Sequence, residues 1–179
     1  MIYLESFTTL TNKSVLILHG YGGRPAPERT RVLGRRGYRV YYPHIDYDKE
    51  YAKDKCQSIT SYLVERYSDV DAIIGLSLGG YMAFILANKL HKPCVLINPA
   101  LNRKTTRLNI KDFDYDFDIT NPRTEIFFGE NDIVVDKNHT IDYLNKINYK
   151  YIDSEIKMME HGCPLNHFKT ILNRTKIIR

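Results

Sequence analysis

The chain has 179 residues, 43% hydrophobic and 26% charged, enough for one globular domain spanning 1–179 and not comfortably two. No apolar run approaches the roughly 18 residues of a membrane span, and Met1-Ile2-Tyr3-Leu4-Glu5 lacks the basic start and long apolar stretch of a signal peptide, so a cytoplasmic protein without a membrane partner is expected. The net charge is +5, but the arginines between Arg24 and Arg39 are not interleaved with exposed aromatics and the stretch Asp112–Asp118 is acidic, so no nucleic-acid partner is expected.

Strand and helix patterns alternate along the chain. Ile2–Phe7 reads as a strand, and Val15-Leu16-Ile17-Leu18 as one buried on both faces. Glu28–Arg36 is helix-like and stops at Gly37, and Tyr38–Tyr42 is a strand that ends at Pro43. Glu50–Tyr67 reads as one long amphipathic helix with Ile59, Tyr62, Leu63 and Tyr67 on its apolar side. Val70–Ile74 is a strand, Tyr81–Leu90 a helix, and Cys94–Ile97 and Glu125–Phe128 are further strands. Asp136–Ile147 is helical with Asp136 as its N-cap, Lys150–Met158 is extended, and His167–Ile178 is a terminal helix. This order predicts an α/β fold: a mostly parallel sheet with helices on both faces and ligands at the carboxyl ends of its strands. The irregular stretch Pro99–Pro122 reads equally as a lid over such a site and as a plain surface connection.

Gly75-Leu76-Ser77-Leu78-Gly79-Gly80 lies between a strand and a helix. That is the context of the G-x-S-x-G turn, which lifts a serine hydroxyl above the edge of a sheet, with glycines where strand and helix crowd each other. A serine needs a base to take its proton and an acid to orient that base. Asp132, just after Glu125–Phe128, is the expected acid; Asp136 is assigned to a helix cap, and Glu130 is a substitute. The segment His161-Gly162-Cys163-Pro164-Leu165-Asn166-His167 supplies two candidate bases. His167, at the mouth of the terminal helix beside Phe168, is favoured over His161, which comes directly off a strand. Acyl transfer also requires N–H donors for an oxyanion. The backbones of Leu78, at a helix start, and Tyr21, in Leu18-His19-Gly20-Tyr21-Gly22-Gly23, are the expected pair. His19 reads as a brace for that loop. Tyr21, Tyr81 and the aromatics between Asp112 and Phe117 read equally as an acyl pocket and as ordinary packing.

The three cysteines, Cys56, Cys94 and Cys163, are scattered and suggest no disulfide framework. His161, Cys163 and His167 lack paired metal-ligand spacing and an evident fourth ligand, so no metal and no organic cofactor is expected.

The runs Leu18-His19-Gly20-Tyr21, Gly75-Leu76-Ser77-Leu78-Gly79-Gly80-Tyr81, Leu96-Ile97-Asn98-Pro99-Ala100 and Asn166-His167-Phe168 together resemble the small YqiA-type esterases of the α/β-hydrolase superfamily. The resemblance implies a minimal α/β-hydrolase fold with little or no cap domain. It implies a Ser-Asp-His triad, mapped onto Ser77, Asp132 and His167, and hydrolysis of an ester or thioester. The expected function is a serine carboxylesterase for small or short-acyl esters. A thioesterase or amidase with the same triad, and a non-catalytic binding protein of the same fold, are the alternatives.

Overall fold

A computed structural model describes residues 12–101 and 116–179. The strand expected over Ile2–Phe7, residues 112–115 of the acidic stretch and the middle of the 99–122 loop lie outside these. In chain order the described elements are β1 (Ser14–Leu18), α1 (Pro27–Gly34), β2 (Arg39–Tyr41), α2 (Tyr47–Asp54), α3 (Gln57–Arg66) and β3 (Ala72–Leu76). They continue with α4 (Leu78–Leu90), β4 (Cys94–Ile97), β5 (Thr124–Gly129), α5 (Lys137–Lys146), β6 (Ile152–Ile156) and α6 (Leu165–Arg174).

The six strands form one sheet in the order β2-β1-β3-β4-β5-β6, and every pairing is parallel. Parallel pairing requires a crossover between successive strands, and among the described residues helices lie in every such connection except that from β4 to β5. It also brings the carboxyl ends of all six strands to one edge. The chain reverses its direction of growth at β1, which lies between β2 and β3. Open α/β sheets bind ligands at such a switch point.

Side-chain alternation along the strands divides the core in two. Leu16, Leu18, Ile73, Leu96 and Ile126 face α3, α4 and α5. Val15, Ile17, Ile74, Val95 and Phe127 face the other way, against Leu33 of α1 and Phe168, Ile171 and Leu172 of α6. Both faces are covered along the middle of the sheet, which is why β1, β3 and β4 read as unbroken apolar runs. Helix α4 is buried from Leu78 to Asn88, the mark of a helix enclosed on all sides. No helix among the described residues is long and apolar enough to cross a membrane.

The structure differs from the sequence expectation at the second helical segment. In place of one helix there are two, separated by Lys55 and Cys56, which have φ of 58° and 66°. The N–H of Lys55 donates to Tyr51 O at 2.8 Å and that of Cys56 to Glu50 O at 3.1 Å, a pairing that closes a helix end. The Asp54 carboxylate then accepts from Ser58 N–H at 3.0 Å, opening the next helix. The break turns Cys56 fully into the core, and Tyr62, expected inside, is 46% exposed.

Close approach between α4 and the sheet makes Gly75 irreplaceable. A Cβ there would lie 2.4 Å from Gly79 O and 2.5 Å from Ala83 Cβ, neither of them a flexible chain end. Gly75→Ala is therefore expected to lower stability by at least about 2 kcal/mol, seen as an earlier urea midpoint with an unchanged slope.

Candidate active site

Ser77 is the single residue between β3 and α4, with φ 53° and ψ −119°. This is a strained conformation for a residue with a side chain, and the surroundings enforce it. Ser77 N–H donates to Ile97 O at 2.9 Å, and Ser77 O accepts from Ala100 N–H at 3.0 Å, so β4 and its following turn grip the residue from one side. From the other side β1 presses against the start of α4. A Cβ on Gly79 would lie 2.3 Å from His19 O and 2.4 Å from Leu18 O. Together these contacts hold the Ser77 hydroxyl up at the carboxyl edge of the sheet.

Asp132 follows β5 in a tight turn. Its Oδ1 accepts from the N–H groups of Val134 at 2.8 Å and Val135 at 3.0 Å. This turn is why two apolar side chains point outward, with Ile133 97% exposed and Val134 57%. With Oδ1 occupied, Oδ2 is left to face an imidazole, His161 Nδ1 at 2.9 Å. The other ring nitrogen, His161 Nε2, lies 2.8 Å from Ser77 Oγ. An ionised carboxylate only accepts, so the Asp132 contact places the proton on Nδ1. Nε2 then carries a lone pair directed at the serine hydroxyl. Burial by itself would raise the Asp132 carboxyl. The hydrogen bonds from His161, Val135 and Val134 outweigh burial and hold the group below its ordinary value.

The histidine in this relay corrects the sequence expectation, which favoured His167. His167 lies in the first turn of α6, half-buried, with Nδ1 enclosed and without a hydrogen-bond partner. The expectation failed on element boundaries. Strand β6 ends at Ile156, not Met158, and Met158 takes φ 57°, so the chain turns before it reaches His161. His161 thus hangs in a loop over Ser77 instead of running out along the strand. At the other end, α6 begins at Leu165 with Pro164 as its N-cap, which draws His167 into a helix. A proline at a helix start was the available signal. Arg29 of α1 secures the loop by donating from Nη2 to Cys163 O at 2.6 Å. Cys163 itself is buried, and burial pushes its thiol up to about 11.

The remaining candidates fall into place around this relay. Glu130 is exposed, and its carboxylate accepts from Met158 N–H at 2.9 Å, so it organises the turn after β6. Asp136 caps α5, accepting from Asn138 N–H at 2.8 Å. Leu78 is the first residue of α4, and its N–H therefore has no partner within the helix. Gly20 packs against Ser77: a Cβ on it would lie 3.0 Å from Ser77 Cβ. Tyr21, the next residue, is 41% exposed and donates from its hydroxyl to Asp48 Oδ1 at 2.7 Å. Tyr81 is buried in the core, and the partly buried Phe117 packs edge-on against its Phe84 with ring centres 5.7 Å apart.

His19 is 2% exposed and takes part in two contacts of fixed polarity. Its Nδ1 meets Gly20 O at 2.8 Å, and its Nε2 accepts from Ile45 N–H at 3.0 Å. A carbonyl only accepts and a peptide N–H only donates, so the ring is neutral with its proton on Nδ1. Burial, the largest influence, lowers its affinity for a second proton. Tyr47 donates to His19 O at 2.8 Å, so the loop carrying Tyr21 is fastened to the turn after β2.

The profile of the family described as "Uncharacterised protein family (UPF0227)", the YqiA family, matches residues 14–114, more than half of the chain. The chain belongs to this family. Solved structures of similar shape include the monoacylglycerol lipase of Paleococcus ferrophilus, with 14% identity, a TM-score of 0.64 and coverage of 97% of this chain and 96% of that one. The Francisella virulence factor BioJ has 16% identity and a TM-score of 0.65, over 93% of this chain and 76% of its own. XC6422 of Xanthomonas campestris, an α/β serine hydrolase without a lid, has 14% identity and a TM-score of 0.54, over 89% of this chain and 78% of its own. At such identities the likeness is one of fold, and that fold is the α/β hydrolase.

The Asp132 hydrogen bonds set a pH dependence. A carboxyl whose folded value lies below its unfolded one stabilises the fold above the unfolded value, and this contribution is lost as pH falls through the folded value. A carbon-detected NMR titration is expected to place the Asp132 midpoint below the ordinary 3.8. Removing the imidazole in His161→Ala is expected to move that midpoint upward.

Proposed function

We propose that the protein is a serine hydrolase that cleaves small or short-acyl carboxylic esters through an acyl-enzyme. The observation that carries this reading is the unbroken relay from Asp132 Oδ2 through both His161 nitrogens to Ser77 Oγ, with links of 2.9 and 2.8 Å. In the first step Ser77 Oγ attacks the ester carbonyl as His161 Nε2 takes its proton. Asp132 keeps the ring in the required tautomer and stabilises the imidazolium that forms. The N–H groups of Leu78 and Tyr21 bind the developing oxyanion. His161 returns the proton to the leaving alcohol, and the same groups then activate water to release the acid.

The fold supports this reading, since chains of the same architecture include a monoacylglycerol lipase and a lidless serine hydrolase. A hollow of about 300 Å³, lined by Asn98 and Asp132, opens at the acid end of the relay, at the low end of ligand pockets.

A serine-reactive fluorophosphonate is expected to label the wild-type protein and to leave Ser77→Ala unlabelled. Folded wild-type protein that resists labelling would point to a binding protein instead. With p-nitrophenyl esters of graded length, Ser77→Ala and His161→Ala are each expected to lose about 10⁴-fold or more in kcat. His167→Ala, which alters neither partner of the relay, is expected to stay within about three-fold of wild type. The reverse result for the two histidines would sink the assignment. An acyl-CoA run beside the esters separates thioester from ester hydrolysis.

A further inference from the structure

Asn98, the first residue beyond β4, is 1% exposed and takes no part in the steps above. Its φ is 44°, in the left-handed region that asparagine enters more readily than most residues. Its main-chain N–H donates to Phe127 O at 2.9 Å, extending the ladder between β4 and β5. Its side-chain amide is fully engaged. Oδ1 accepts from Gly129 N–H at 2.6 Å, while Nδ2 donates to Glu160 O at 3.0 Å and His161 O at 3.1 Å. The partners fix which way the amide faces, because a peptide N–H only donates and a carbonyl only accepts.

The side chain therefore joins two loops that are far apart in the sequence. Gly129 ends the strand that leads into Asp132, and the Glu160 and His161 carbonyls belong to the segment that carries the imidazole. The site makes three demands: a left-handed backbone, one acceptor, and two donors at short reach. Aspartate lacks the donors, glycine meets only the backbone demand, and glutamine is longer by a methylene.

We propose that Asn98 is a positioning residue that sets the distance of the His161 ring from both Asp132 and Ser77. This rests on the reading of those three side chains as the catalytic relay. Arg29 holds the same loop independently at Cys163 O, at 2.6 Å, so the loop stays attached when the amide is removed. The consequence of losing Asn98 is a displaced ring rather than an unfolded chain.

The test compares wild type with Asn98→Gly, which keeps the backbone at ease, and Asn98→Asp, which keeps the acceptor and loses the paired donors. Asn88→Ala is the control. Asn88 is equally buried and also uses its amide, donating to Phe84 O and accepting from Thr120 N–H, both at 2.9 Å, but near the far end of α4 from Ser77. Both Asn98 variants are expected to lose about 10²-fold in kcat, and as much in the rate of fluorophosphonate labelling, with KM nearly unchanged. Their spectra are expected to lose the downfield proton of His161 Nδ1, assigned in wild type by its absence from His161→Gln. Asn88→Ala is expected to melt earlier with kcat retained. The proposal is overturned if the Asn98 variants keep both kcat and the downfield proton, or if neither folds. Failure of the hydrolase reading shows separately, as a wild-type protein that is not labelled. The imidazole proton then still reports whether Asn98 places the ring.

Discussion

Helix α4 begins so close to the end of β1 that residue 79 has no room for a side chain. The obstacles are the carbonyls of Leu18 and His19, which are backbone and cannot step aside. Most of the candidate site follows from this approach. It puts the first turn of α4 beside the Gly20–Tyr21 loop and forces Ser77 into a conformation that extends neither the strand nor the helix. The β4 side completes the vice, through Ile97 O and Ala100 N–H. The strain at Ser77 is sustained because the buried strands β3 and β4 and the enclosed helix α4 surround it.

A parallel sheet does the rest by topology. Ser77, Asp132 and His161 follow β3, β5 and β6, and parallel pairing brings the ends of those strands to one edge. Each loop then aims its own side chain. At Asp132 the curl of the chain directs two N–H groups onto one carboxylate oxygen and leaves the other for the imidazole. Burial and hydrogen bonding oppose each other there, and hydrogen bonding wins, so the carboxyl binds a proton less readily than usual where burial alone would make it bind one more readily. His19 shows the same competition settled the other way. Burial dominates, and both ring nitrogens are committed to backbone partners, which leaves a fastener and not a base.

The described strands, the serine turn and the place of Asp132 beyond a strand end were legible in the sequence because each has a local cause. Val15–Leu18 and Cys94–Ile97 are apolar because both faces of the sheet are covered. Gly75 and Gly79 flank Ser77 because neither site holds a Cβ. Asp132 stands immediately beyond a strand end. The break between α2 and α3 was not legible, since Lys55 and Cys56 adopt left-handed conformations that neither residue type announces. What rewards the break is burial of Cys56 in a core assembled from distant parts of the chain.

The choice between the two histidines marks the boundary between the two kinds of information. Sequence alone determined that an alternating α/β chain would carry a serine on a glycine-flanked turn, an aspartate after a later strand and a histidine near the C-terminal helix. Those features depend on spacing, periodicity and the steric needs of single residues. Only the tertiary structure decided which imidazole meets the serine. That depends on where β6 ends, on the left-handed turn at Met158, and on carbonyl contacts made by Asn98 and Arg29 from other layers of the fold. A side chain's reach is set by the backbone beneath it, and here that backbone is held by residues more than sixty positions away in the sequence.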